Sequence, residues 1–350
     1  MLLAAAQVHS DNLDVAGNLA KVERLTHEAA RAGVRLVVFP ELFLTGATFA
    51  AGVWRAAPTP EDATERRLAS LAQATGVHLV VGTAERRDQH LYNTALLAAP
   101  GRPLERYTKL HLFCADAFSF RPGVGPCIWE TALGRIGVGI CYDMLFADPW
   151  REYAGTVDLV VVPSAWPDFD GAATVVLGVG IPTPPAPAVR LGRRWITDLP
   201  RRISEAVGAP VVYANHVGQY DVVMVLDQVV ARVVFPATSA VHDGDRMIGL
   251  ADGEGLAIGQ VPLGTPREAG PGWSGVGGEP QGLDMRFTRL CLDAAEAVGL
   301  RLGYPLNRTV RGRQMPAEAI LHAAPEPLAL AADAVGVADA VGSARAGLKA

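Results

Sequence analysis

"RIGVGICYDM", residues 135–144, decides how the rest of this chain is read. An apolar, glycine-laced run that ends in a cysteine has the character of a buried strand. In extended form Ile136, Val138 and Ile140 share one face, and Gly137, Gly139 and Cys141 share the other. The face beside the sulfur then consists of residues without side chains, although glycine weakens a strand interior. Open space for a ligand next to Cys141 is the expectation that follows. A lone cysteine at a strand end is also the pattern of a small core hydrophobe, so its surroundings must decide between the two.

Outward from this run, apolar strands alternate with amphipathic helices. "VRLVVF" (34–39), "VHLVVGT" (77–83), "VDLVVVP" (157–163) and "APVVYAN" (209–215) read as buried strands, and "LLAAAQV" (2–8) as an edge or first strand. "GNLAKVERLTHEAARAG" (17–33) places Leu19, Val22, Leu25 and Ala29 on one helical face and stops at Gly33. "TPEDATERRLASLAQATG" (59–76) predicts a helix capped at Thr59 with Pro60 in its first turn. Residues 91–109 read as two strands around a Pro-Gly turn. Further helices are expected over roughly 147–154 and 193–206, and short antiparallel strands from Asp221 to Val261. The pattern is α/β. The Gly/Pro-rich segment 167–194 reads as a loop, either on the surface or as a lid over a pocket.

Composition narrows the partners. The chain has 350 residues, half of them apolar, and a net charge of −5 with both signs interspersed. No basic stripe marks a nucleic-acid partner. Pro182, Pro184, Pro185 and Pro187 break the longest uncharged segment, so no membrane span is expected, and the start lacks the form of a signal peptide. The expectation is a cytoplasmic protein. Cys114, Cys127, Cys141 and Cys291 form no C-x-x-C pair, and neither a metal nor another cofactor is expected. "GPGWSG" (270–275) fits a glycine fingerprint but lacks a preceding strand. One domain is expected over residues 1–312, followed by an Ala-rich extension, 313–350, that is peripheral or loose.

Two further strand ends carry reactive groups: "VVFPELFLTG" brings Glu41 and "ERYTKLHLF" brings Lys109. With Cys141 they make an acyl-transfer set. A free thiol with a pKa of about 8.5 is mostly protonated near neutrality. A carboxylate can take its proton, and an ammonium can stabilise the charge that develops.

These motifs, in this order, resemble those of the nitrilase superfamily of carbon–nitrogen hydrolases. "YTKLHLF…FRPG", "GICYD" with Asp148 seven residues after the cysteine, "VDLVVVPSAW", "VVYANHVG" and the hairpin 237–261 all match, so that the resemblance spans roughly residues 3–265. It implies a four-layer α-β-β-α sandwich that assembles as a homodimer or higher homo-oligomer. It assigns Glu41 as general base, Lys109 as stabiliser of the intermediate and Cys141 as nucleophile. Asp116 stands seven residues after the lysine, where a glutamate is common, and takes the supporting role. The backbone N–H of Tyr142 is assigned to the oxyanion, and Trp166 to substrate binding. "CYD" resembles the amidase and carbamoylase branches, which implies a small carboxamide or N-carbamoyl substrate. A true nitrilase is the alternative, since those carry Trp-Glu after the nucleophile. A non-catalytic binding or scaffold protein is the third reading.

Overall fold

The computed structural model describes residues 1–113, 115–176, 179–181, 186–224, 227, 229–250, 253–262 and 270. The extension 313–350 and its boundary at 312, the "GPGWSG" segment, Cys114 and Cys291 lie outside the described residues.

In chain order, β1 (Leu2–Gln7) leads through α1 (Val15–Arg31) to β2 (Leu36–Val38). Helices α2 (Val53–Ala56) and α3 (Ala63–Thr75) precede β3 (His78–Arg87), β4 (His90–Ala98) and β5 (Glu105–Thr108). Next come β6 (Ile128–Thr131), β7 (Gly134–Val138), α4 (Trp150–Tyr153) and β8 (Leu159–Pro163). They are followed by β9 (Asp168–Val176), β10 (Val179–Ile181), α5 (Ala186–Val207) and β11 (Val211–Ala214). The last elements are β12 (Gly218–Met224), β13 (Val229–Phe235), β14 (Ala240–Asp243), β15 (Arg246–Leu250) and β16 (Gly255–Gln260).

One six-stranded sheet has the order β16-β1-β2-β3-β4-β5 and a second the order β15-β14-β11-β8-β7-β6. Side-chain alternation explains how they stack. Leu3, Ala5, Leu36, Val38, Val80, Ala95 and Leu97 of the first sheet share a core with Ile136, Val138, Val160 and Val162 of the second. The intervening residues Ala4, Ala6, Val37, Leu79 and Val81 pack instead with Leu19, Val22 and Leu25 of α1 and Leu68 and Leu71 of α3. Helices α4 and α5 pack on the second sheet. The result is the four-layer α-β-β-α sandwich that the motifs implied.

Several local expectations change. β1 is the first strand but not an edge, because β16 pairs along its whole length. The cap of α3 is Asp62, whose carboxylate accepts the N–H groups of Thr64 and Glu65, and Thr59 lies outside the helix. The helix expected at 147–154 is one turn, and the one expected at 193–206 begins earlier, at Ala186. Segment 167–194 is not a plain loop. It contributes β9, β10 and the start of α5, and β9 joins a third sheet of order β10-β9-β13-β12.

The glycine face of β7 is also not open. A Cβ on Gly137 would lie 2.7 Å from the ring of Tyr153, and one on Gly139 would lie 2.4 Å from the ring of Trp150. These glycines admit two aromatic rings from α4 rather than a ligand. Cys141 does not continue their face, because β7 ends at Val138 and Cys141 adopts a left-handed conformation with φ +46°.

Candidate active site

Glu41 follows β2 where the chain crosses tightly over β3. A Cβ on Gly82 would lie 2.2 Å from the Pro40 carbonyl oxygen and 2.6 Å from the Cα of Glu41, so the crossing requires glycine there. Leu42 next takes a positive φ of 56°. The backbone of Glu41 is pinned from the second sheet side, where the ring of His216 donates from Nε2 to its carbonyl at 2.7 Å. Its Oε1 accepts from Asn93 Nδ2 at 2.7 Å and from Lys109 Nζ at 2.6 Å. Its Oε2 accepts the Ala165 N–H at 2.8 Å.

Lys109 continues from β5, and its N–H donates to the Asn93 carbonyl at 2.9 Å. Its Nζ also donates to Asp116 Oδ2 at 2.6 Å, and the same oxygen accepts the Phe113 N–H at 3.1 Å. All three charged groups are at most 2% exposed. Burial works to lower the Lys109 ammonium, but Asp116 and Glu41 together hold it well above its ordinary value. Burial, reinforced by the like charge of Glu41, lifts the Asp116 carboxyl to about 6 against the pull of Lys109.

Cys141 opens a 3-10 turn, Cys141–Leu145, and Asp143 clamps that turn. Asp143 Oδ2 accepts the Ile140 N–H at 2.8 Å and the Tyr107 hydroxyl at 2.8 Å, while Oδ1 accepts the His111 N–H at 2.8 Å. The positive φ of Cys141 is a strained conformation that such surroundings must hold in place. Burial and the Glu41 carboxylate push the Cys141 thiol far above its ordinary value, although Lys109, the Ser164 hydroxyl and the Ala165 N–H favour the thiolate. The thiol is therefore protonated at neutral pH.

Trp166 follows β8, and Asn215 holds it at both backbone groups: Oδ1 accepts its N–H and Nδ2 donates to its carbonyl, each at 3.0 Å. Its ring meets that of Trp195 edge-on, with centroids 6.1 Å apart. Tyr142 packs edge-on against Phe113 and Phe146.

Glu41, Lys109, Asp116, Cys141, Tyr142 and Trp166 all line one cavity of about 380 Å³. Every site residue expected from sequence is therefore brought together. Sequence reasoning assigned no role to Asn93, Asp143, Asn215 or His216. The signal was present in part, since each is a polar side chain inside an apolar strand or at its end. Asp148, matched by spacing, stands apart with a largely exposed side chain, 3.7 Å from His111 Nε2.

A profile described as carbon-nitrogen hydrolase matches residues 2–269. The chain belongs to the carbon–nitrogen hydrolase family. Among relatives of this family, a nitrilase of Pyrococcus abyssi is 37% identical over 156 residues, covering 43% of this chain and 60% of its own length. An omega-amidase of Danio rerio is 33% identical over 185 residues, covering 49% and 65%. The chain thus spans less than two thirds of the length of these curated relatives. The solved amidase of Nesterenkonia sp. shares the carbon–nitrogen hydrolase fold with a TM-score of 0.60 at 22% identity, covering 75% of this chain and 90% of that one. One structure of that amidase carries an acetamide moiety covalently added at its active-site cysteine.

Proposed function

We propose that this chain hydrolyses the C–N bond of a small carboxamide or N-carbamoyl compound through a thioester on Cys141. The observation that carries this reading is the buried chain of charge from Glu41 through Lys109 to Asp116, 2.6 Å at each contact, in one cavity with the Cys141 thiol. A thiol raised far above its ordinary value does not attack as a preformed thiolate. Glu41 takes its proton as the sulfur bonds to the carbonyl carbon, and the carbonyl electron pair moves to oxygen. Lys109 and the Tyr142 backbone N–H stabilise that oxyanion. The oxyanion then reforms the carbonyl, the C–N bond breaks, and protonated Glu41 gives its proton to the departing nitrogen. Water attacks the thioester, Glu41 takes the water proton, the C–S bond breaks, and the acid leaves as the proton returns to sulfur. Asp116 holds Lys109, and Trp166 forms part of the substrate wall.

Amide chemistry is supported by the omega-amidase relatives and the amidase fold neighbours. The relative named nitrilase favours a second reading, conversion of a nitrile to an acid and ammonia. The test is the mass of an acyl adduct trapped on Cys141 from matched amides and nitriles, with ammonia release for each pair. The expected result is an acyl adduct from the amide, absent in Cys141→Ala. A nitrile turned over at least tenfold faster than its amide overturns the choice of bond, and no adduct with any substrate leaves a binding or scaffold protein. A homo-oligomeric assembly and a cytoplasmic location, both implied by the resemblance and the composition, complete the proposal.

A further inference from the structure

The third sheet builds a large part of the apolar wall of the cavity. β12 and β13 pair in register from Gly218 with Phe235 to Met224 with Val229, and their side chains alternate. Val222 and Met224 of β12, Ala231, Val233 and Phe235 of β13, and Ala172 of β9 line the cavity. The outer side of the same strands carries charge: Arg232 pairs with Asp221 there at 2.7 and 3.0 Å. The sheet is thus two-faced, and its apolar face lines the same cavity as Cys141. It is tied down at its rim, where Arg193 of α5 holds Asp168 and Asp170 of β9, and the Phe49 N–H donates to the Val223 carbonyl at 2.8 Å.

The charges that reach the cavity are few. Among the described residues its lining carries two carboxylates, Glu41 and Asp116, and one ammonium, Lys109. That ammonium already donates to both carboxylates. No arginine and no further lysine is among the described residues that line the cavity. A carboxylate at the far end of the acyl chain would enter this apolar space with no cation among the described lining residues free to pair with it, which is strongly unfavourable. An apolar chain would instead gain by leaving water. The volume of about 380 Å³ falls in the ordinary range for small-molecule pockets.

We propose that the third sheet is the specificity wall of this site, selecting an uncharged, apolar acyl chain and rejecting acyl groups that end in a carboxylate. This rests on the amide-hydrolase reading above for its chemistry but on the lining of the cavity for its selectivity. The test compares pentanamide with glutaramate, which have five-carbon chains ending in methyl and in carboxylate respectively. The expected kcat/KM, read as ammonia release by the full chain, favours pentanamide at least 100-fold. Met224 is half-buried, and Met224→Arg places a cation beside the wall, so it should narrow that ratio at least tenfold. If the variant fails to fold, the ratio in the native chain decides.

Binding of both amides to Cys141→Ala, measured by calorimetry, separates the two proposals. If no amide is turned over but Cys141→Ala still binds pentanamide at least tenfold more tightly than glutaramate, the reaction reading fails and the selectivity stands. Comparable turnover of the two amides by the native chain overturns the selectivity while the reaction reading stands. With no turnover, equal binding or no binding of either amide overturns both.

Discussion

Asp143 shows how much of this site depends on a residue that touches no reacting atom. Its two oxygens accept from Ile140, Tyr107 and His111, and those bonds hold the turn on which Cys141 sits in a left-handed conformation. Asn at this position would present an amide N–H₂ to one pair of donors. Each lost hydrogen bond to a charged acceptor costs roughly 1.5–3 kcal/mol. Asp143→Asn is therefore expected to lower stability by about 3 kcal/mol, and to lower kcat at least tenfold with a smaller change in KM. Thermal unfolding and steady-state kinetics check both, and a kcat equal to that of the native chain would mean that the turn holds itself.

The carboxylates make a second residue-scale prediction. With Asp116 lifted to about 6, its carboxyl takes up a proton as pH falls through that value and loosens its hold on Lys109. The kcat/KM profile should show an acid limb near pH 6 that is missing in Asp116→Asn. That variant should lose less turnover than Glu41→Gln or Lys109→Ala, each of which should lose about 10²–10⁴-fold. Glu41, Lys109 and Cys141 are legible in sequence because each sits in a motif of several letters. Asp143 is not, because its role depends on Tyr107 and His111 some thirty residues away, brought near by the docking of two sheets.

Elements carry information that composition hides. β7 was readable as a strand, but the purpose of its glycines was not, since α4 supplies the rings that fill the space. Gly139→Ala would press a methyl group against Trp150, whose indole Nε1 also donates to the Asp143 carbonyl at 3.1 Å. Overpacking of a closed core costs about 1–3 kcal/mol. A drop of that size in chemical denaturation is expected, together with reduced turnover, because the displaced indole contacts the turn that carries Cys141. An unchanged midpoint would show that α4 yields freely. The third sheet was illegible for a different reason. Segment 167–194 has the glycine and proline content of a loop, and β9 becomes a strand by pairing with β13, whose partner residues lie more than fifty positions later.

For the whole molecule, the alternation within β1 to β4 made the layers readable, since each strand shows one face to helices and one to the other sheet. The same burial sets a pH limit on stability. Burial lowers His216 to about 3 and His242 to about 4. Both are neutral in the folded state above those values, whereas an unfolded imidazole takes a proton below about 6.5. Stability is thus level above pH 6.5 from this source and falls as pH drops toward 4, by up to about 1.4 kcal/mol per pH unit for each ring. His242→Phe should flatten that slope in urea titrations at several pH values, and an identical slope would assign the acid sensitivity elsewhere.

The bonds that hold Glu41 join residues far apart in the chain: 68 positions to Lys109, 124 to Ala165 and 175 to His216. Loops of that length close slowly. During refolding, local helices such as α1 form early, but no fragment or partly docked intermediate can assemble this constellation. Recovery of activity should therefore trail recovery of the far-ultraviolet helical signal. Turnover then serves as a clock for the last docking event, when the two halves of the sandwich come together around Cys141.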